Sequence, residues 1–167
     1  LYTAILTDTG GFRYGNTGAA ALKAAGCLVA KGANPQWISE NIYENFSVAK
    51  IRLMARAMQS LSFDCDGRVG SLTILQKDFQ ETEALPEHTE GLVDLPRSVA
   101  GVEVSILYTE MPENRFKVSM RSKGGKDVAR IAAEFGGGGH VNAAACRIEG
   151  DIVTVKRRLL AALCTSA

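Results

Sequence analysis

The sequence predicts an α/β protein in two parts: a strand with three helices, followed by a compact α/β domain with its own sheet. Hydrophobic residues make up 46% of the 167 residues and charged residues 22%, which is typical of globular domains and not of disordered chains. Helical spacing of apolar residues dominates the first third, and alternating apolar residues follow it. Turn residues separate the two patterns, so we expect a domain boundary near residues 62–67.

The first part is predicted to contain one strand and three helices. Residues 2–7 form a short apolar run, which we interpret as a buried strand ending at Asp8. The helices are predicted from capping residues and from apolar side chains at helical spacing. They are expected to begin near residue 18, at Pro35 and after Ser47.

The second part is predicted to contain strands and helices in alternation. Period-two apolar patterns indicate strands, which we expect at residues 69–75, 102–108, 116–121 and 143–148. Residues 80–90 form a polar stretch, and a short helix is expected near 91–95. Asp127 and Asp151 can each cap a further helix.

Charge and hydropathy exclude two classes of protein. Lys and Arg total 19 against 18 Asp and Glu, a net charge of +1, so a broad basic surface for long nucleic acids is excluded. No apolar run approaches the roughly 20 residues that cross a bilayer.

The four cysteines, with only two histidines, do not indicate a zinc site, because no C-x-x-C pair is present. Cys27, Cys65, Cys146 and Cys164 lie in or beside apolar stretches. We therefore expect reduced, structural thiols in a cytoplasmic core.

Four consecutive glycines, Gly136–Gly139, directly precede His140. Glycine is costly to order, and a helix C-cap needs only one. The run therefore predicts a backbone that approaches a ligand closely, with N–H groups available to an anion, and His140 can donate to a phosphate or stack on a base. Neither a P-loop nor a dinucleotide motif fits. A flexible surface loop is the alternative.

Polar side chains alternate with apolar ones along the predicted strand that ends at Arg121. Period two places Lys117, Ser119 and Arg121 on one face, and Lys123 and Lys126 follow before the next helix. Cations and free backbone N–H groups in one place suit a phosphate or a nucleic-acid backbone. A solvated basic surface is the alternative.

Asp8 follows the first predicted strand, where a carboxylate could help to bind a divalent metal. A single carboxylate cannot hold a metal, and Asp-Thr-Gly also forms ordinary turns. Arg13 could support Asp8 or face a phosphate.

Together these segments resemble the DHH/DHHA1 phosphoesterase family, and most closely its oligoribonuclease/pAp-phosphatase subgroup, often called nanoRNase. The matching segments are residues 5–13, 91–94, 96–98, 119–122 and 136–144. They occur in the family's order and cover nearly the whole chain. The Gly-His-x-x-Ala-Ala segment is specific for the DHHA1 domain.

The resemblance implies the C-terminal remnant of a DHH catalytic domain with its connecting helices over residues 1–64, followed by a DHHA1 domain with a mixed sheet over 68–167. DHH domains hold two Mn²⁺ ions through several Asp and His residues. This chain has no Asp-His-His and no Asp-x-Asp, and only Asp8 matches a metal-binding motif. We therefore expect a fragment of a longer protein that is inactive by itself, also because Leu1 stands inside an apolar run.

The resemblance also implies a set of substrate-binding residues: Ser119, Arg121, Gly137, Gly138, Gly139 and His140, with Arg97 and Lys123 as further candidates. Ala145 departs from the family, which usually has Gly after the Ala-Ala pair. This difference could tighten the turn beneath the glycine loop.

The implied activity is a Mn²⁺- or Mg²⁺-dependent exonuclease and phosphatase. Its substrates would be short single-stranded RNA or DNA oligonucleotides or 3′-phosphoadenosine 5′-phosphate (pAp), in the cytoplasm and without a membrane partner. A homodimer is compatible with this interpretation. Two alternatives are a phosphodiesterase for cyclic di-AMP or pApA and a non-catalytic nucleic-acid-binding DHHA1 module.

Overall fold

The computed structural model describes residues 1–165, and the chain divides into one unit over Leu1–Phe46 and a second that begins at Ser47. This division lies earlier in the chain than the predicted boundary near residues 62–67. The assignment of residues 1–64 and 68–167 to two family domains stays a prediction.

The first unit is helical. Its helices are α1 (Tyr2–Asp8), α2 (Ala19–Ala30) and α3 (Pro35–Tyr43). Helix α3 begins where the sequence predicts, because the Asn34 side chain accepts the Trp37 N–H at 3.1 Å and Pro35 occupies the first turn.

The predicted strand over residues 2–7 is wrong, because this segment is helix α1. Tyr2 and Leu6 are four residues apart and both buried, whereas Thr3 and Thr7 are exposed. The apolar positions therefore follow a helical period, which so short a run does not distinguish from a strand.

The second unit contains four helices and a six-stranded sheet within the described residues. The helices are α4 (Val48–Gln59), α5 (Gln76–Thr82), α6 (Val128–Glu134) and α7 (Ile152–Thr165). The strands are β1 (Ser62–Asp64), β2 (Val69–Ile74), β3 (Val104–Met111), β4 (Arg115–Ser122), β5 (Gly138–His140) and β6 (Ala143–Glu149). Short 3₁₀ helices lie at Pro86–Thr89, Leu92–Asp94 and Pro96–Ser98.

The strand order is β1-β2-β3-β4-β6-β5. Strands β2 and β3 are parallel, and the other neighbours are antiparallel. The predicted α/β fold with a mixed sheet is therefore confirmed.

Two apolar cores lie on opposite faces of the sheet. On one face, α6 and α7 pack against β3, β4 and β6 through residues such as Tyr108, Val118 and Leu159. On the other face, α4 packs against β2 and β3 through Leu53, Leu72 and other apolar residues. The second core stops at β3, so it leaves the same side of β4 and β6 without an apolar cover.

A disulfide joins Cys65, in the turn between β1 and β2, to Cys164 in α7, and their Cα atoms are 5.9 Å apart. The prediction of reduced thiols is therefore wrong for Cys65 and Cys164. No local pattern reveals that they pair, because 99 residues separate them. Cys27 and Cys146 are free. Burial raises the pKa of the Cys146 thiol to about 11, because a charged thiolate is disfavoured away from water.

Within residues 1–165, no helix is both long and apolar enough to cross a bilayer.

Candidate functional site

One face of β4, β6 and β5 is open to solvent, and it carries four of the six predicted substrate-binding residues. We call it the open face, and its residues are Lys117, Ser119 and Arg121 of β4, Ala143, Ala145 and Arg147 of β6, and Gly138 and His140 of β5. The alternating residues Phe116, Val118 and Met120 are buried on the opposite face. The alternation therefore places Lys117, Ser119 and Arg121 together, as predicted.

The strand register arranges the open face in rows. Arg121 pairs with Ala143, which pairs with His140. In the next row, Ser119 pairs with Ala145, which pairs with Gly138. Neighbouring strands are about 4.8 Å apart, so β4 and β5 are separated by roughly 10 Å with only alanine side chains between them. The rows form a shallow trough with Arg121 and Ser119 on one side and His140 on the other.

The turn between β5 and β6 is held by its neighbours. The Val128 N–H donates to the Val141 carbonyl oxygen at 2.9 Å, and the Ser122 N–H donates to the Asn142 carbonyl oxygen at 3.1 Å. The Ser122 hydroxyl also bonds the Asn142 side chain at 3.0 Å. These bonds fix the turn that presents His140 across β6 from the end of β4.

The four glycines serve different purposes. A Cβ at Gly137 would overlap the Ala145 carbonyl oxygen, and a Cβ at Gly139 would overlap the Ala143 carbonyl oxygen. These two glycines allow the chain to pack directly on β6. A Cβ at Gly138 would meet nothing within 4 Å, so the open face has free space beside this glycine.

Two amides of the glycine run are engaged within the protein. The Gly136 N–H donates to the Ala133 carbonyl oxygen at 3.0 Å, and the Gly137 N–H donates to the Ala132 carbonyl oxygen at 2.9 Å. They end helix α6. The expectation that the N–H groups of the run are free is therefore wrong for these two, because the helix end uses them.

Arg121 is half-buried, and it forms no ion pair with any residue among 1–165. One of its guanidinium nitrogens, Nη1, donates to the Met120 carbonyl oxygen at 3.0 Å. The remaining N–H groups of a guanidinium can still form a bidentate contact with a phosphate.

A cleft of about 330 Å³ opens beside β4, and Lys117, Ser119 and Arg121 form one of its sides. The volume lies at the lower end of the range for small-ligand sites. The remaining lining residues are Pro86, Glu87, Thr89, Glu90, Gly91, Val93 and Leu107. The sequence analysis did not identify residues 86–91 as the wall of the cleft that lies opposite β4. This segment has no motif, and only the folded chain brings it close to β4.

Arg97 and Lys123 make bonds outside the cleft. Arg97 pairs with Asp94 at 3.0 Å and donates to the Ser122 carbonyl oxygen at 3.4 Å. The Lys123 Nζ donates to the Val99 carbonyl oxygen at 3.3 Å. Both side chains connect the 3₁₀ segment to the end of β4, and their role as substrate contacts stays a prediction.

Asp8 ends helix α1 and its side chain is exposed, which corrects its predicted place at a strand end. Its carbonyl oxygen accepts a hydrogen bond from the Asn16 side chain at 3.0 Å. The Arg13 Nε donates to the Gly10 carbonyl oxygen at 2.6 Å. No group of three or more His, Cys, Asp or Glu residues in the described part of the chain could hold a metal ion. A two-metal centre needs several carboxylate or imidazole ligands, and Asp8 by itself supplies only one carboxylate.

Residues 72–165 match the DHHA1 domain family. The bifunctional oligoribonuclease and PAP phosphatase NrnA of Thermus thermophilus is 32% identical over 162 residues, which are 96% of this chain and 48% of that protein. The cyclic-di-AMP phosphodiesterase PdeA of Listeria monocytogenes is 27% identical over 164 residues, 98% of this chain and 24% of that protein.

A solved structure shares the fold. The crystal structure of an exopolyphosphatase-related protein from Bacteroides fragilis superposes with a TM-score of 0.89 at 28% identity, covering 95% of this chain and 47% of the other. The chain spans about half the length of the curated oligoribonuclease and PAP phosphatase relatives from Thermus thermophilus and Mycoplasma genitalium.

Proposed function

Since this chain belongs to the DHHA1 domain family, we propose that it is the nucleotide-binding part of a phosphoesterase for short oligonucleotides and pAp. The open face carries this proposal. It combines an arginine without an acidic partner among residues 1–165, an exposed histidine and a glycine that leaves room for a ligand. An anionic, planar ligand such as a nucleotide suits this combination.

Four residues of the open face have separate tasks in the proposal. Arg121 binds a phosphate through its guanidinium fork, and the Ser119 hydroxyl adds a hydrogen bond beside it. His140 donates to the ligand or stacks on the base from the opposite side of the trough. Gly138 lets the ligand approach the backbone of β5. Together they hold the nucleotide in one orientation.

The net charge of +1 supports short substrates. Long nucleic acids are bound through many phosphate contacts, which require a broad basic surface. Here the cations are local, so we propose that the site holds one end of a short oligonucleotide or a single nucleotide carrying phosphates.

For the whole protein we propose Mn²⁺ or Mg²⁺ as cofactor, with Asp8 as one of several ligands. The other ligands would come from residues outside this chain. We also propose a cytoplasmic location, which cell fractionation would test. The disulfide is an observation against this location, because disulfides are rare in the cytosol.

A second candidate is a phosphodiesterase for cyclic di-AMP or its linear product pApA, and the similarity to the Listeria enzyme favours it. A binding panel of pAp, pApA, cyclic di-AMP and a short RNA separates the candidates by relative affinity. A stand-alone nucleic-acid-binding module is less well supported, because the similarity to the Thermus enzyme extends over 96% of the chain and not over the DHHA1 domain alone.

The first test is calorimetry with pAp. We expect Arg121→Ala to weaken binding by about ten- to a hundredfold, because a hydrogen bond to a charged group contributes about 1.5–3 kcal/mol. Arg121→Lys should restore only part of the affinity, because an ammonium cannot form the bidentate contact.

The matched control is Arg157→Ala. Arg157 is an exposed arginine on α7, the helix that packs against the other face of the sheet. Its loss should leave the affinity for pAp unchanged. Equal affinities for the wild type and Arg121→Ala would contradict the proposal, since Arg121 would then be an ordinary solvated cation.

A further inference from the structure

The cleft beside β4 has an acidic side that the proposed nucleotide contacts do not use. Glu87 and Glu90 line the cleft from the segment opposite β4. The Glu90 N–H donates to the Glu87 carbonyl oxygen at 3.1 Å, which closes a 3₁₀ turn. Side chains three residues apart in such a turn lie on the same side, so the two carboxylates belong to one wall of the cleft. We call Glu87 and Glu90 the acidic wall.

The acidic wall is held in place by bonds within its own segment. The Leu85 N–H donates to the His88 Nδ1 at 3.0 Å, and the Thr89 hydroxyl donates to the Pro86 carbonyl oxygen at 2.7 Å. Val93, a few residues further along, is buried in the apolar core under α4. The position of the two carboxylates is therefore set by the fold.

The charges that line the cleft are kept apart. Lys117 and Arg121 line it from β4, and the acidic wall lines it from the segment opposite. Within residues 1–165, neither Glu87 nor Glu90 forms an ion pair with these or other cations. The cleft therefore has a cationic side and an anionic side that no ion pair joins. A complementary ligand is anionic at one end and offers hydrogen-bond donors at the other.

A nucleotide divides its groups in this way, with the phosphate at one end and the base at the other. Val93 and Leu107 also line the cleft, and their apolar side chains suit the faces of a base. The volume of about 330 Å³ suits one nucleoside and not a polymer. Strand β4 lies between β3, which carries Leu107, and β6. A phosphate at Arg121 can therefore place a nucleoside in the cleft, while His140 contacts the ligand from the trough.

We propose that the acidic wall selects the base of the ligand by accepting hydrogen bonds from an exocyclic amino group. Adenine, guanine and cytosine carry such a group, whereas uracil has a carbonyl oxygen where cytosine has its amino group. A carboxylate accepts from an amino group and repels a carbonyl oxygen. Base selection rests on the proposed function, because Arg121 must hold the phosphate, and it adds which bases the site accepts.

The test compares two ligands that differ only in this amino group. Calorimetry at one fixed salt concentration gives the dissociation constants of adenosine 5′-monophosphate and purine riboside 5′-monophosphate, which has a hydrogen in place of the amino group. We expect the wild type to bind the adenosine compound about tenfold more tightly, because the acceptor is charged. The ratio should fall towards one in the double variant Glu87→Ala/Glu90→Ala. It should be intermediate in Glu87→Gln/Glu90→Gln, which keeps uncharged acceptors.

The ratio of the two constants is the readout, because loss of negative charge also strengthens the attraction of the phosphate, equally for both ligands. Cytidine and uridine 5′-monophosphate give an independent comparison, and only the wild type should clearly prefer cytidine. Glu134→Ala is the matched control, since Glu134 is an exposed glutamate on α6, which packs against the other face of the sheet. It should keep the wild-type ratio. Thermal melting should be unchanged in all variants, because Glu87 and Glu90 are exposed.

The outcomes separate base selection from the proposed function. If the wild type binds the two purine ligands equally while Arg121→Ala weakens both, base selection is wrong and the proposed function stands. If the alanine double variant strengthens both ligands by the same factor and keeps the ratio, the acidic wall only opposes the phosphate, and base selection is again wrong. If the wild type binds none of these nucleotides, nor pAp, pApA or a short RNA, the proposed function is wrong and base selection with it.

Discussion

Individual glycines of the run can be distinguished by what a methyl group would meet. Gly137→Ala should destabilise the fold by about 1–3 kcal/mol, because the new Cβ overlaps the backbone oxygen of Ala145, which cannot move without disturbing β6. Gly138→Ala is the matched control and should leave the free energy of unfolding nearly unchanged. Chemical denaturation measures both, and equal losses would contradict the division of the run into packing and ligand positions.

His140 is expected to serve the ligand and not the fold, because its side chain is exposed on an edge strand. His140→Ala should weaken the binding of pAp while the melting temperature changes by less than about a degree. Calorimetry and thermal melting on the same variant check this. A lower melting temperature with unchanged binding would instead identify His140 as a structural residue.

Helix α7 is the element that the disulfide constrains, since Cys164 connects it to the turn between β1 and β2. Disulfides closing long loops typically contribute about 2–4 kcal/mol, and 99 residues separate Cys65 from Cys164. Cys164→Ser should therefore lower the melting temperature by several degrees, and a reductant should do the same to the wild type. Cys27→Ser is the control, because Cys27 is free and exposed. A stability that is insensitive to reductant would contradict this role.

The elements that the sequence predicted well are those with a local signal. Ser47 accepts the Lys50 N–H at 3.1 Å and begins α4 where its cap predicted. The sequence analysis did not predict α5 and β5, because neither element has a strong periodic pattern of apolar residues. Helix α5 has Phe79 as its only large apolar residue, and it begins where the Leu75 N–H donates to the Asp78 carboxylate. Strand β5 exists because its glycines pair with β6. A glycine run has no side-chain period from which a strand could be predicted.

At the scale of the whole protein, this chain should have no metal-dependent turnover of short RNA or pAp. It offers Asp8 but no cluster of metal ligands within residues 1–165, and two-metal hydrolysis requires such a cluster. The measurement is a hydrolysis assay with Mn²⁺ on the purified chain.

In the full-length protein, Asp8→Ala should abolish turnover and leave the fold intact, because the side chain is exposed. Circular dichroism checks the fold of that variant. The expectation that this chain is inactive by itself would be overturned if the chain hydrolysed these substrates and its Asp8→Ala variant did not.

The candidate site could be predicted only in part from the sequence. The alternation of polar and apolar residues along one strand predicted that Lys117, Ser119 and Arg121 share a face. The glycine run identified His140 as a candidate ligand contact. The pairing of Lys117 with Arg147 depends on the register of β4 with β6, and the wall with Glu87 and Glu90 depends on how residues 86–91 return to the sheet. Both are long-range features, so no local pattern encodes them.

The place of β5 at the edge of the sheet has a consequence for local stability. Strand β6 has a partner on both sides, whereas β5 has β6 alone and spans only Gly138–His140. Short edge strands open at a lower free-energy cost than the centre of a sheet. We therefore expect the His140 side of the trough to open locally at a lower free-energy cost than β4, which holds Arg121. A ligand bound across the trough would hold β5 closed, so amide hydrogens there would exchange more slowly in its presence.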